Sequence, residues 1–220
     1  MYNTILFDLD GTLTDPGVGI TNSVSYALKK FDIQITDRSE LYQFIGPPLL
    51  DSFMDFYGFT KNDAKLAITY YREYYHDKGI FENIIYDGME DLLQTLYDAH
   101  YKLLVATSKP EEFAIRILEY FHIKKYFTYI AGATMDGKVS AKKAVISYAL
   151  SSGQVTDPAC AIMIGDRKYD VLGAKQSGID SMGVLYGYGN REELEAAGAT
   201  YIVTQVTDIY PALKQSANEK

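Results

Sequence analysis

Tryptophan is absent from this 220-residue chain, cysteine occurs once, proline six times and histidine three times. A lone cysteine, Cys160, cannot close an internal disulfide, which excludes a disulfide-stapled secreted scaffold and fits a reducing cytoplasm. Because Cys160 adjoins the apolar run Ala161-Ile162-Met163-Ile164, the expectation is a buried, inert thiol. The three histidines, His76, His100 and His122, stand apart from one another and from every motif below, so zinc lacks the nitrogen and sulfur ligands it prefers. Basic residues are also outnumbered, 21 Lys and Arg against 29 Asp and Glu, for a net charge of -8. A surface that neutralises a run of nucleic-acid phosphates needs clustered Lys and Arg, so no nucleic-acid partner is expected and any bound anion must be held locally. No stretch approaches the roughly 18 apolar residues of a membrane span. The start Met1-Tyr2-Asn3-Thr4 carries no basic region leading into an apolar one, so no membrane role is expected.

What is present is the material of an ordinary enzyme core, 47% hydrophobic and 23% charged residues. Ile5-Leu6-Phe7 is a short apolar run that ends abruptly in Asp8-Leu9-Asp10-Gly11-Thr12, the pattern of a buried strand delivering carboxylates to its C-terminal edge. Three further runs end in polar or glycine residues: Lys102 to Ala106 before Thr107-Ser108-Lys109-Pro110, Ala161 to Ile164 before Gly165-Asp166, and Ser181 to Leu185 before Tyr186-Gly187. Between them lie helical spacings such as Glu111 to Phe121 and Ala141 to Leu150. Alternation of this kind predicts an α/β fold, a doubly wound parallel sheet whose ligands sit outside the carboxyl ends of its strands.

Residues 15–84 read differently, with amphipathic helical spacing throughout and no buried strand, and so form an all-helical insert between core segments 1–14 and 85–220. Asp37-Arg38-Ser39-Glu40 has the shape of a capping box, with Asp37 accepting from the Glu40 amide; Gly46-Pro47-Pro48 breaks that helix, and another runs from after Asn62 through Tyr70, Tyr71, Tyr74 and Tyr75 to Gly79. The tyrosine cluster is expected to pack within the insert. Crossings near Asp15 to Gly19 and near Asn83 to Asp87 would serve as a hinge pair. The tail from Gln215 to Lys220 reads as a frayed terminus. Gly17-Val18-Gly19 and Gly187-Tyr188-Gly189 pair glycines, but Asn22 and Glu192 stand where a dinucleotide fingerprint has its third, so neither binds NAD.

In an extended segment Asp8 and Asp10 point the same way, so both carboxylates can address one pocket, with Gly11 allowing a tight turn behind them. The stretch Phe7-Asp8-Leu9-Asp10-Gly11-Thr12-Leu13-Thr14-Asp15 resembles the first motif of the haloacid dehalogenase superfamily, and the other three motifs of that family follow in order. Thr107 after its apolar strand is similar to the second, a lysine among Lys138, Lys142 and Lys143 to the third, and Gly165-Asp166-Arg167-Lys168-Tyr169-Asp170 to the fourth. The resemblance implies that Asp8 is the nucleophile and forms an aspartyl-phosphate, that Asp10 acts as general acid and then base, and that Mg2+ is held by Asp8, Asp166, Asp170 and the backbone carbonyl of Asp10. It further implies a phosphate cradle of Gly11, Thr12, the Thr107 hydroxyl, the Ser108 and Lys109 amides and the third-motif lysine. Lys142 is the choice for that motif because it opens the helical pattern after Ala141, although many relatives have proline where Lys143 stands.

The helical insert after the first motif resembles that of the phosphoglycolate phosphatase and 5'-nucleotidase branch. Arg167 after Asp166 and the Tyr186-Gly187-Tyr188-Gly189 stretch lean toward the nucleotidase side. Hydrolysis of a small phosphorylated metabolite, by a monomer or dimer in the cytoplasm, is therefore the expected function. A sugar phosphomutase of the same superfamily is the alternative; Pro16, with its fixed φ where the hinge starts, restricts the reorientation that a mutase needs. A phospho-accepting signalling domain is a third class, disfavoured because such domains place their acceptor in mid-chain.

Overall fold

The computed structural model describes residues 2–136 and 138–215; the tail expectation for residues 216–220 lies outside them. Two compact units partition the chain, one of Met1–Asp15 with Ile85–Lys220 and one of Pro16–Ile84.

The larger unit begins with β1 (Thr4–Phe7), whose four residues are all buried. Such a run, apolar on both faces, is stable only in the middle of a covered sheet. A short strand, β2 (Thr14–Asp15), precedes the second unit. That unit comprises α1 (Gly17–Lys29), a 3-10 segment over Arg38–Phe44, α2 (Leu49–Tyr57), α3 (Lys61–Tyr75) and a 3-10 turn over Gly79–Phe81. The expected helix after Asp37 is thus a 3-10 segment, and the Asp37 carboxylate accepts from the Ser39 amide at 2.9 Å rather than from Glu40. Two prolines at 47 and 48 remove the donors a longer helix would need. Thr60 caps α3, two positions earlier than the spacing suggested, accepting from the Asp63 amide at 3.2 Å. Tyr71 and Tyr75 are buried and stacked at 5.2 Å, Tyr74 meets Tyr26 at 5.8 Å and Tyr70 meets Phe31 at 6.1 Å, so the cluster packs inside this unit.

The chain then alternates strand and helix: β3 (Ile84–Ile85), α4 (Met89–Asp98), β4 (Lys102–Pro110), α5 (Glu111–Tyr120), β5 (Tyr129–Ala133), α6 (Lys142–Ser152), β6 (Ala161–Gly165), α7 (Lys168–Gln176), β7 (Asp180–Val184), α8 (Arg191–Ala197), β8 (Tyr201–Val203) and α9 (Ile209–Gln215). The main sheet has the order β5-β4-β1-β6-β7-β8, and every described pairing in it is parallel. After β5 the chain returns to the far side of β1, so the order reverses there and a crevice opens at the carboxyl ends of β1, β4 and β6. Register places that crevice: Phe7 lies level with Val105 on one side and with Ile164 on the other. The residues that follow all three therefore emerge at one edge. On one face of the sheet, Leu6, Leu104 and Met163 pack with Val145, Ile146 and Ala174, each contributing about 1–3 kcal/mol of burial and fixing α6 and α7 beside that edge.

Two expectations change. β4 runs on through Thr107 to Pro110 instead of stopping at Ala106, with its register against β5 shifting between Ala106 and Pro110; such an irregularity re-aims the side chains it carries. Cys160 is half-buried instead of buried, because it closes a 3-10 turn before β6 with its Sγ 3.2 Å from Asp157 Oδ2. No helix among the described residues is long and apolar enough to cross a membrane.

Candidate active site

Asp8 continues the ladder of β1, donating its amide to Ile164 O at 2.9 Å, so its side chain enters the crevice from a fixed backbone. Oδ1 of Asp8 accepts from the Leu9 amide at 2.8 Å and from Lys142 Nζ at 2.8 Å. The chain then folds back: the Leu13 and Thr14 amides both reach Leu9 O, and the Gly11 amide reaches Thr14 O. Gly11 adopts φ +80°, open to glycine, and a Cβ there would run into the Asp166 carboxylate. Thr12 is fully buried with its hydroxyl 3.5 Å from Asp166 Oδ1, so it faces the fourth motif.

Asp166 follows β6 and is fully buried, accepting from the Tyr188 amide at 2.7 Å. Asp170 sits in the first turn of α7, where Oδ2 accepts from the Arg167 amide at 3.1 Å and Oδ1 lies 2.7 Å from Lys142 Nζ. Of the three lysines considered for the third motif, Lys142 alone reaches these carboxylates among the described contacts. It opens α6, is buried, and also donates to Ala106 O at 3.2 Å. Lys138 pairs with Asp136 at the surface, and Lys143 is exposed. Thr107 is buried, and its hydroxyl accepts from the Lys109 amide at 3.2 Å. The expectation put the Lys109 amide on a phosphate; in the structure that amide serves Thr107, and Lys109 enters the site by its ammonium, 2.6 Å from Asp10 Oδ2. Ser108 is half-buried beside it, and His76, His100 and His122 are exposed away from these contacts.

Oxygens of Asp8, Asp166 and Asp170 lie within 4.8 Å of one another, all three residues buried. Burial, reinforced by Asp170 and Asp8, pushes the Asp166 carboxyl well above the usual range. Burial also raises Asp170, to about 6, against the pull of Lys142. Asp10 is likewise raised by burial, with the Lys109 ammonium opposing. Burial works against the Lys142 ammonium, yet Asp170 and Asp8 prevail and hold it above the ordinary lysine value. With all three ionised, the carboxylates would outnumber the Lys142 ammonium, which is why burial and mutual repulsion raise Asp166 and Asp170. Hard oxygen donors in such a cluster fit one divalent cation of the Mg2+ kind.

Three contributors were not foreseen. The Lys109 side chain is one. The others are Tyr188, whose backbone amide holds Asp166 and whose hydroxyl donates to Asp15, and Gly187, where a Cβ would strike both Gly11 O and Asp166. The Gly187-Tyr188-Gly189 pattern was the available signal; its glycines serve close approach to Asp166 rather than to a dinucleotide.

The sequence model of one protein family, described as haloacid dehalogenase-like hydrolase, matches residues 5–184. A 5'-nucleotidase of Pseudomonas aeruginosa is 42% identical over 213 residues, spanning 97% of this chain and 96% of that protein. The crystal structure of a predicted phosphatase from Clostridium acetobutylicum matches with a TM-score of 0.95 at 52% identity, covering 98% of this chain and 99% of that one. A Mycobacterium tuberculosis protein named tyrosine-protein kinase PtkA is 36% identical over 203 residues, 92% of this chain and 69% of its own length.

Proposed function

This chain belongs to the family of haloacid dehalogenase-like hydrolases and is a phosphatase, and on that premise we propose that it hydrolyses a small phosphate monoester with Mg2+, through a phosphorylated Asp8. The observation that carries the proposal is the convergence of the Asp8, Asp166 and Asp170 carboxylates against the single ammonium of Lys142. Mg2+ would be held by those carboxylates and the Asp10 backbone carbonyl, and when bound it would neutralise charge on the phosphoryl oxygens. Asp8, fixed by the Leu9 amide and Lys142, attacks phosphorus with its other oxygen. Asp10, whose buried carboxyl retains a proton more readily than an exposed one, protonates the leaving oxygen and later deprotonates the attacking water. The Thr107 hydroxyl, because it accepts from the Lys109 amide, keeps its own hydrogen for a phosphoryl oxygen. Gly11, Thr12 and the Ser108 amide complete the cradle, and residues 16–84 act as the cap that sets substrate choice.

The 5'-nucleotidase likeness, together with Arg167 and the Tyr186 to Gly189 loop, favours a nucleoside monophosphate over phosphoglycolate. A Mg2+-dependent phosphate-release screen over nucleoside monophosphates, phosphoglycolate, sugar phosphates and phosphotyrosine tests this. A preference of about a hundredfold in kcat/KM, or roughly 2.7 kcal/mol, for a nucleoside monophosphate is the expected result. Conversion of a sugar phosphate to its isomer without phosphate release would replace the phosphatase reading by the mutase one.

The metal assignment has its own consequence. Asp166 and Asp170 carry raised folded-state pKa values, so in metal-free protein the stability they contribute is complete below their unfolded values and is lost as pH rises, for Asp170 through about 6. Mg2+ binds the ionised carboxylates and reverses that loss. At a hundredfold excess over Kd it should add about 2.7 kcal/mol, which for this chain length is roughly 5–10 °C in Tm. Thermal unfolding with and without Mg2+ should show that gain at pH 7 and little of it at pH 5; an equal shift at both pH values would contradict the site.

A further inference from the structure

Lys109, next to the last residue of β4, has a side chain only 5% exposed, and its Nζ lies 2.6 Å from Oδ2 of Asp10. The other carboxyl oxygen, Asp10 Oδ1, is buried and has no hydrogen-bond partner among the described residues. A buried ion pair of this kind offsets little more than its own desolvation, so stability alone gives weak reason for it. Its placement is also built rather than incidental. Thr107 and Lys109 are both buried where the register shifts between Ala106 and Pro110, and the Lys109 amide is tied to the Thr107 hydroxyl at 3.2 Å. One short segment thus sets both the hydroxyl offered to the phosphoryl group and the ammonium on Asp10.

We infer that Lys109 is a positioning residue for the proton carrier: by holding Asp10 Oδ2 it dedicates Oδ1 to the proton transfers. The inference rests on the reading of Asp10 as general acid and base. In the first step an Asp8 oxygen bonds to phosphorus while the ester P–O bond breaks, its electron pair staying on the departing oxygen, which takes the proton from Asp10 Oδ1. In the second step a water oxygen bonds to phosphorus, one of its protons passes to Asp10 Oδ1, and the bond between phosphorus and Asp8 breaks. Both carboxyls return to their starting states, and Lys109 keeps its proton throughout. A carboxyl that is not anchored presents either oxygen, and misplacement by about 1 Å can cost about a hundredfold in rate.

The test compares kcat/KM, which reports phosphorylation of the enzyme, on two aryl esters of similar shape in the presence of Mg2+. 4-Nitrophenyl phosphate has a leaving group that departs with little help from a proton, whereas phenyl phosphate needs one. Lys109→Met is expected to lose about a hundredfold on phenyl phosphate and no more than about fivefold on 4-nitrophenyl phosphate. Asp10→Asn should share that signature, and Lys109→Arg, which restores a cation, should recover most of the loss. Equal losses of Lys109→Met on both esters, or no loss on either, would overturn the inference. If Lys109→Met does not unfold cooperatively, Lys109→Gln bears the same comparison with the same outcomes. Asp8→Asn run in parallel separates the two levels: turnover retained there removes the mechanism itself, whereas an inactive Asp8→Asn beside equal losses removes only the role of Lys109.

Discussion

Asp8→Asn is expected to lower phosphate release by about 10^4- to 10^6-fold, the scale seen when a nucleophile that works as part of a unit is removed. The substitution keeps the size of the side chain and an oxygen able to accept from Lys142. The amide, however, is a poor nucleophile and contributes no charge to the carboxylate cluster. Folding should be preserved or improved, because one of three crowded buried carboxylates is neutralised. A folded, inactive Asp8→Asn variant is therefore the expected pair of results from thermal unfolding and a phosphate-release assay. A folded variant with more than about a hundredth of wild-type activity would place the nucleophile elsewhere.

The second large effect is at Lys142, where one ammonium serves Asp8 at 2.8 Å and Asp170 at 2.7 Å with all three groups buried. Lys142→Met keeps the length of the chain and removes the charge. Breaking a buried pair from one side typically costs about 3–5 kcal/mol, because the remaining carboxylates stay desolvated without a cation. For this chain that corresponds to a fall of roughly 10 °C in Tm at pH 7 without Mg2+. The gap should narrow toward pH 5, where Asp170, raised to about 6 even beside the ammonium, takes up a proton and no longer needs a partner. Loss of the ammonium from the phosphoryl site should lower kcat by about 10^2- to 10^3-fold. Thermal unfolding at both pH values and steady-state kinetics check the prediction; a gap that widens at pH 5 would contradict the charge balance described here.

The parts of the molecule legible in sequence are those with local causes. Ile5-Leu6-Phe7 and Ala161 to Ile164 are apolar on both faces, and only a covered parallel strand accommodates that. Parallel register then brings the residues after Phe7, Ala106 and Ile164 to one edge. Spacing favours Lys142 at the start of its helix but leaves Lys138 and Lys143 open; contacts across the fold separate them, Lys142 meeting Asp8 and Asp170 while Lys138 pairs with Asp136. The less legible features depend on partners far away in sequence or on small backbone irregularities. The register shift after Ala106, where Lys109 is buried, leaves no mark in composition. Gly187 and Tyr188 looked like an incomplete nucleotide motif because their partner, Asp166, is separated from them by a whole helix and strand. Asp37 caps a 3-10 segment instead of a helix because Pro47 and Pro48 lie too close ahead, and Cys160 misses the strand by one residue.

Rapid acid quenching during steady-state turnover with Mg2+, followed by mass spectrometry of the digested chain, asks directly whether phosphorus becomes bonded to the protein and where. The mechanism predicts one added phosphoryl group on the peptide containing Asp8, localised to that residue, formed with wild-type and absent with Asp8→Asn. A phosphoryl group on another side chain that forms and decays at the rate of turnover would contradict it.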